Sequence, residues 1–146
     1  MKKINWIQPL DSPISEKVIN DVESYFNIQF PLDYKKCILN FNGGYPQPKV
    51  FDTDVKSELV FSCLLSFTSD DANIVEVYEM KSQVLPSGIY PFARDPFGNL
   101  LCFDYRKNVS EPTIVFFDHE VEKEQAIYHI CDTFTELLEK LYSLDD

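Results

Sequence analysis

Residues 86–105 read Pro86-Ser-Gly-Ile-Tyr-Pro-Phe-Ala-Arg-Asp-Pro-Phe-Gly-Asn-Leu-Leu-Cys-Phe-Asp-Tyr105, and this stretch carries the strongest signal for the architecture. A tight turn is predicted in its middle. Asp95 suits the first turn position, Pro96 presets φ at the second, and Gly98 accepts the positive φ of a turn-plus-bulge hairpin. Runs rich in aromatic and β-branched residues flank the turn, and another follows at 114–117. The pattern predicts a three-stranded antiparallel meander at the centre of the domain.

Helical patterns surround this meander. Ser15 is a suitable N-cap for a helix over 15–26, and a second helix over 32–41 ends at Asn42-Gly43-Gly44, which tolerates the left-handed cap conformation. The other predicted elements are strands over 50–53, 58–67 and 126–130, an irregular segment over 45–48, a helix over 72–80 introduced by Ser69-Asp70-Asp71, and a helix after Thr133. This order indicates the α+β class: a single domain over 1–146 with a mostly antiparallel sheet flanked by N-terminal and C-terminal helices.

The bulk properties suit one well-packed domain. The chain has 146 residues, of which 45% are hydrophobic and 14% aromatic, enough to build a core. No apolar run reaches the roughly 18 residues of a membrane span, and the N-terminus lacks the apolar region of a secretion signal, so we expect a cytoplasmic protein. The four cysteines lie in apolar runs without zinc-ligand spacing, which predicts buried free thiols: Cys37, Cys63, Cys102 and Cys131.

The formal net charge of −11 restricts the partners. Nucleic acids and anionic membranes select for basic surfaces, so we expect neither as a direct partner and a basic protein instead. Six carboxylates are candidates for contact with such a protein: Asp52, Asp54, Asp70, Asp71, Glu120 and Glu122. Exposed loops and helix capping are the alternative interpretations of these residues. Three tyrosines, Tyr45, Tyr90 and Tyr105, are further candidates, because Tyr is enriched at interface hot spots.

Sequence motifs for catalysis are lacking. The chain has neither a glycine-rich phosphate loop nor a Gly-x-Ser-x-Gly elbow. A small hydrolase using Asp95, Asp104 or His119 is the alternative, but a turn role explains Asp95 and exposed positions explain the other two. We therefore expect no enzymatic activity, no catalytic residue, no metal and no cofactor.

Several short motifs follow one another along the chain, each occurring once. They are Glu23, Phe30-Pro31-x-Asp33-Tyr34-Lys35, Asn42-Gly43-Gly44, Leu85-Pro86, Tyr90-Pro91-Phe92-Ala93, Asp95, Gly98-Asn99, Phe103-Asp104, Val115-Phe116-Phe117-Asp118-His119-Glu120 and Ile130-x-Asp132-x-Phe134-x-x-Leu137-Leu138. This succession resembles the SUKH superfamily over almost the whole chain. Two positions depart from its pattern: Phe30 replaces the usual Leu before Pro31, and Asn27 stands where Gly is common. Both changes are conservative for a core contact and a turn.

The resemblance implies an α+β fold and a bacterial immunity protein. Such a protein binds and neutralises a polymorphic toxin made by the same cell, often a nuclease. The fungal branch instead contains regulators of cell-wall synthesis, so a non-catalytic scaffold that binds a peptide or small ligand is the alternative. Six motif residues are then expected to serve the scaffold: Pro31, Gly43, Gly44, Asp95, Gly98 and Asn99.

Overall fold

Four α-helices are present in the computed structural model, which describes residues 3–7 and 13–144. They are α1 (Glu16–Phe26), α2 (Leu32–Phe41), α3 (Ile74–Lys81) and α4 (Phe134–Lys140). A 3₁₀ turn over Lys123–Ala126 precedes the last strand. None of the helices within the described residues is long and apolar enough to cross a membrane. The first and last residues of the predicted domain lie outside the described ranges.

The ends of α1 follow the local chemistry of the sequence. Ser15 caps the helix by accepting a hydrogen bond from the Val18 N–H at 3.4 Å. Asn27 ends it with a left-handed φ of 59°, and its N–H donates to the carbonyls of Glu23 and Ser24. Asn tolerates this conformation better than most residues, so the helix ends here without a glycine.

The predicted start of the third helix was wrong by two residues. Asn73, rather than Ser69-Asp70-Asp71, is the N-cap of α3, and it forms a capping box with Glu76. Ala72 has a φ of 57°, which places it outside the helix. The capping box dominates because it satisfies two of the free N–H groups of the first turn at once.

The main sheet has five antiparallel strands in chain order. They are β5 (Cys63–Leu64), β6 (Ile89–Arg94), β7 (Leu100–Asp104), β8 (Thr113–Phe117) and β9 (Ile127–Cys131). The predicted meander forms β6, β7 and β8 at the centre of this sheet. The sheet register shifts between Pro91 and Ala93, where the proline interrupts the ladder. The α+β prediction is confirmed.

Two short ribbons lie beside the main sheet, and both correct the sequence prediction. β1 (Asn5–Ile7) pairs with β2 (Tyr45–Gln47), so the segment predicted to be irregular forms a strand. Proline is tolerated there because the ribbon has only two strands and needs few ladder hydrogen bonds from its edges. β3 (Val50–Phe51) pairs with β4 (Leu59–Val60), which breaks the single strand predicted over 58–67 into two that serve different sheets.

An aromatic cluster fills the space between the sheet and the helices. Phe103 stacks on Phe92 with ring centroids 4.3 Å apart, and Tyr34 of α2 meets Phe103 edge-on at 4.9 Å. Phe134 of α4 packs edge-on against Tyr34 at 5.4 Å. All four rings are nearly or fully buried, so the meander and two helices share one core.

The cysteines are free thiols, as predicted. Cys63, Cys102 and Cys131 are buried, whereas Cys37 is half-buried. Burial raises the pKa of Cys37 and of Cys131 to about 12. Both thiols are therefore protonated at neutral pH and poor nucleophiles.

Substitution of Tyr34 by Phe is expected to stabilise the protein by about 1 kcal/mol. The Tyr34 hydroxyl is fully buried and has no hydrogen-bond partner among the described residues. Removing it relieves a desolvated polar group at almost constant volume. Urea unfolding of both proteins measures the change. Tyr105→Phe is the control and is expected to lose stability, because the Tyr105 hydroxyl donates to the Gln29 carbonyl at 2.7 Å. A loss of stability in Tyr34→Phe would contradict the prediction.

Candidate protein-binding surface

The six predicted contact residues separate into two groups at opposite edges of the main sheet. Asp70 and Asp71 precede α3, and Asp71 lines a small cavity with Cys63 of edge strand β5. The other four lie near β9, which forms the far edge. Five strands span four spacings, or about 19 Å, so one small contact cannot cover both groups.

The second group forms what we call the β9 acidic edge: Asp52, Asp54, Glu120 and Glu122. The hairpin between β3 and β4 brings the first two there, because the Asp54 N–H donates to the His129 carbonyl at 3.1 Å. Lys56 of the same hairpin pairs with Asp118 at 3.1 Å and lies 5.0 Å from the Tyr128 ring centroid. Its hydrogen bond with Asp118 raises the pKa of Lys56. A firmly held cation thus offsets part of the negative charge at this edge.

Asp52 has a local structural role within the β9 acidic edge. Its carboxylate accepts hydrogen bonds from the Tyr142 hydroxyl at 2.6 Å and the Glu58 N–H at 2.9 Å. These bonds, that from Tyr142 above all, lower the pKa of Asp52. The residue therefore holds the hairpin to the C-terminal segment.

Replacing Tyr142 by Phe is expected to raise the pKa of Asp52 toward its ordinary value. A carboxyl whose folded-state pKa is lowered contributes stability above its unfolded pKa, and this contribution is lost as the pH falls through the folded value. The variant should therefore show a smaller loss of stability between about pH 5 and pH 3 than the parent protein. Carboxyl NMR titration measures the pKa directly. Asp54, which has no such partner among the described residues, is the internal control, and an unchanged Asp52 pKa would refute the assignment.

The first group belongs to a larger patch that we call the α3 acidic surface: Asp70, Asp71, Glu76 and Glu79, together with Tyr25 and Met80. All six residues are exposed. Met80 is 74% and Tyr25 is 56% exposed. A concavity of about 420 Å³ is lined by Asp71, Glu76, Glu79 and Met80 with Ala72.

The charges of the α3 acidic surface are not neutralised locally. Within residues 3–7 and 13–144, no ion pair involves any of its four carboxylates. Glu79 instead accepts a hydrogen bond from the Tyr25 hydroxyl, and this bond raises the pKa of Tyr25. The surface therefore combines uncompensated negative charge with two large apolar or aromatic side chains, a combination suited to protein contact.

Sequence reasoning missed Tyr25 and Met80. Met80 lies one helical turn after the buried Val77, so periodicity alone predicts a core position for it. α3 ends at Lys81, and its last turn leaves Met80 in solvent. Tyr25 is adjacent to the buried Phe26 and gives no separate signal in the sequence.

The tyrosine candidates differ from one another. Tyr45 is 41% exposed and Tyr90 is half-buried, whereas Tyr105 is only 6% exposed, so its prediction as a surface residue was wrong. The Tyr105 ring packs edge-on against Phe103 and Tyr90, which extends the central aromatic cluster to the end of β7.

The motif residue Asp95 organises the hairpin turn between β6 and β7. Its Oδ1 atom accepts hydrogen bonds from the N–H groups of Phe97 and Asn99, both at 2.8 Å, and Oδ2 accepts from Asn99 Nδ2 at 2.9 Å. Asn99 Oδ1 in turn accepts from the His119 N–H at 3.0 Å. Gly98 has a φ of +93°, and a Cβ there would lie 3.1 Å from His119 Nε2. The turn between β6 and β7 therefore packs against the loop that follows β8, through Asn99, Gly98 and His119.

Asp95, Asp104 and His119, the candidate residues of the hydrolase alternative, all have partners in the structure. His119 Nε2 lies 2.9 Å from the Phe97 carbonyl oxygen. Asp104 pairs with Arg106 at 3.0 Å, and its side chain is only 11% exposed, so the predicted solvent-facing position was wrong. Each of Asp95, Asp104 and His119 therefore makes contacts that a structural role explains.

Two further motif residues act on α2 and the strand after it. Pro31 is the N-cap of α2, and its carbonyl accepts from the Lys35 N–H at 3.0 Å. A Cβ on Gly44 would lie 2.8 Å from the Phe41 carbonyl oxygen and 3.2 Å from the Trp6 ring, so only glycine fits without movement. The buried Asn42 side chain accepts from the Phe67 N–H at 2.7 Å and fastens this corner to the chain after β5.

The four helices and the mostly antiparallel five-stranded sheet define a single-domain α+β protein. The SUKH_6 family, described as SMI1-KNR4 cell-wall, matches residues 16–138, and the chain belongs to this family. The match extends from the start of α1 into α4. A comparison with curated proteins found no match.

Proposed function

We propose that this protein is a bacterial immunity protein that binds a cognate toxin and blocks it by occlusion. Membership of the SUKH family supports a protein-binding immunity role in general. The toxin partner is the finer part of the proposal. The observation that carries it is the α3 acidic surface, where Met80 lines one concavity with Asp71, Glu76 and Glu79, and Tyr25 is bonded to Glu79.

The charge of this surface favours a nuclease toxin. A nuclease must hold phosphates, so the rim of its active site is basic. An acidic protein surface competes for the same groups and accelerates association through electrostatic attraction. Tyr25 and Met80 provide the apolar contact that slows dissociation, since hot spots of binding energy are usually large apolar or aromatic side chains.

Neutralisation by occlusion needs neither chemistry nor a cofactor from the immunity protein. It requires that the complex covers the toxin's active site and forms before the toxin meets its substrate. We therefore propose that the protein acts without catalysis, in the cytoplasm, where a nuclease toxin would reach nucleic acid.

Co-expression tests this proposal. The tagged protein is used to isolate its partner from the native host, and the toxin domain encoded beside its gene is then expressed in a heterologous cell with and without it. We expect cells that express the toxin domain to survive only when this protein is expressed with it. A toxin from an unrelated system is the control and should kill in either case. Equal killing by the cognate toxin with and without the protein would refute the proposal.

A further inference from the structure

A groove of about 720 Å³ runs between the turn joining α1 to α2 and the loop joining β7 to β8. Ile28 lines it on one side and Val109, which is 78% exposed, on the other. Tyr90 and Tyr105 also line it, with ring centroids 5.9 Å apart and planes at 77°. The wall of the groove therefore includes the half-buried Tyr90 ring and the small exposed part of Tyr105, which is 6% exposed.

Glu23 supplies a nearly buried carboxylate to the same groove. The residue is 5% exposed, and its Oε2 atom accepts from the Phe30 N–H at 2.8 Å and pairs with Lys35 Nζ at 3.3 Å. No hydrogen bond to its Oε1 atom is formed by the described residues, because both of these contacts are made by Oε2. A carboxylate oxygen at the wall of a groove can accept further donors, because each oxygen has two lone pairs.

Two cations, Lys35 and Arg106, lie near the groove. Lys35 approaches Oε2 rather than Oε1. Arg106 lies close to Gly88 at the groove. Its guanidinium donates two hydrogen bonds to Asp104, from Nε to Oδ1 and from Nη2 to Oδ2, both at 3.0 Å. That bidentate pairing holds the guanidinium beside Asp104 at the end of β7.

A carboxylate and two tyrosines that line one groove have the chemistry that recognises an organic cation. Aromatic faces attract cations within about 6 Å of the ring centroid, and the attraction increases when water is excluded. A guanidinium suits the groove better than an ammonium, because its plane stacks on a ring while its edge donates to a carboxylate. The net charge of −11 favours a cationic ligand over an anionic one.

We propose that this groove binds an arginine side chain presented by the toxin. The inference rests on the proposed function for the source of the arginine and adds a specific anchor to it. The groove adjoins the α3 acidic surface, since Tyr90 stacks on Tyr78 of α3 at 5.2 Å. One basic segment can therefore cross the acidic surface and insert its arginine between Tyr90, Tyr105 and Glu23.

A peptide titration tests the arginine site without the toxin. The ¹⁵N-labelled protein is titrated with acetyl-Gly-Gly-Arg-Gly-Gly-amide and with the same peptide carrying citrulline, which has the shape of arginine without its charge. We expect saturable shifts of the amide signals of Ile28, Gly88, Tyr90 and Tyr105 with the arginine peptide, and binding at least about tenfold weaker with citrulline. Equal binding of both peptides, shifts confined to other regions, or no shifts with the arginine peptide would overturn the proposal.

Variants test the residues. Glu23→Gln keeps an acceptor for the Phe30 N–H but removes the charge, and Tyr90→Leu removes an aromatic face at a half-buried site; each should weaken arginine-peptide binding about tenfold. Glu120→Gln and Tyr128→Leu, at the far edge of the sheet, are the matched controls and should bind as the parent does. Tyr90→Leu decides the question if Glu23→Gln does not fold, and parent-like binding by a folded groove variant would overturn the proposal.

The peptide result is separable from the proposed function. Protection of cells with no arginine binding would refute the groove site alone. Arginine binding without protection from any toxin would refute the immunity role and leave the groove as the site of another cationic partner.

Discussion

The double charge reversal D70K/D71K is expected to abolish protection against the toxin and to weaken the purified complex by about 100-fold, because like charges facing each other across an interface cost several kcal/mol. Both side chains are exposed, and neither carboxylate makes an ion pair within the described residues. Their local contacts are through the backbone: the Asp71 N–H and carbonyl bond the Ser69 hydroxyl at 3.2 and 2.9 Å. The fold should therefore survive the substitutions.

A second double charge reversal, D54K/E120K, is the matched control for D70K/D71K. It makes the same change in charge at the β9 acidic edge, and it is expected to retain protection and to weaken the complex far less. Affinity is measured with the purified toxin domain at two salt concentrations, because a steering effect falls as salt rises whereas a contact effect persists. Loss of protection in D54K/E120K with normal protection in D70K/D71K would show that toxin binds the other edge.

The second large effect is expected in stability. Asp95→Ala should lower the free energy of unfolding by about 3 kcal/mol, since it removes three hydrogen bonds to a carboxylate that is only 5% exposed. The N–H groups of Phe97 and Asn99 lose their acceptor, and Asn99 loses the contact that orients it toward His119. A domain of this size is stable by roughly 5–15 kcal/mol, so the loss is a substantial share.

Urea unfolding monitored by circular dichroism measures the effect of Asp95→Ala. Asp54→Ala is the matched control, because Asp54 is exposed and its carboxylate has no hydrogen-bond partner among the described residues; its stability should change by less than about 0.5 kcal/mol. A near-neutral Asp95→Ala would mean that the turn holds its conformation through Pro96 and Gly98 alone. That result would contradict the role assigned to the carboxylate.

Local chemistry was sufficient to predict most of the fold. The turn at Asp95, the cap at Ser15 and the short apolar runs of β7 and β8 are each recognisable from a few neighbouring residues. The errors arose where distant partners decide the conformation. Tyr45–Gln47 forms a strand only because Asn5–Ile7 pairs with it, and no local signal in either segment reports the other.

The candidate site was less predictable. Asp52 and Asp70 look alike in sequence as exposed acidic loop residues, but Asp52 is bonded to Tyr142, 90 positions away. Glu120 and Asp71 are equally acidic, yet they lie at opposite edges of the sheet. Composition predicts how much negative charge the surface carries. Composition does not predict which carboxylates lie on the same face of the protein.

The amino-acid sequence by itself determined the α+β class, the meander, the family and the acidic character, because each depends on nearby residues or on composition. Tertiary structure alone decided which acidic groups stay uncompensated, that Tyr25 and Met80 join them, and that Glu23 meets Tyr90 and Tyr105 in one groove. Asp33 illustrates the difference: its local role in the first turn of α2 is legible in the sequence, but it also accepts hydrogen bonds from the N–H and hydroxyl of Thr135 at 2.9 and 2.8 Å. Such contacts depend on how the chain closes on itself, and residues far apart in sequence are coupled only after that closure.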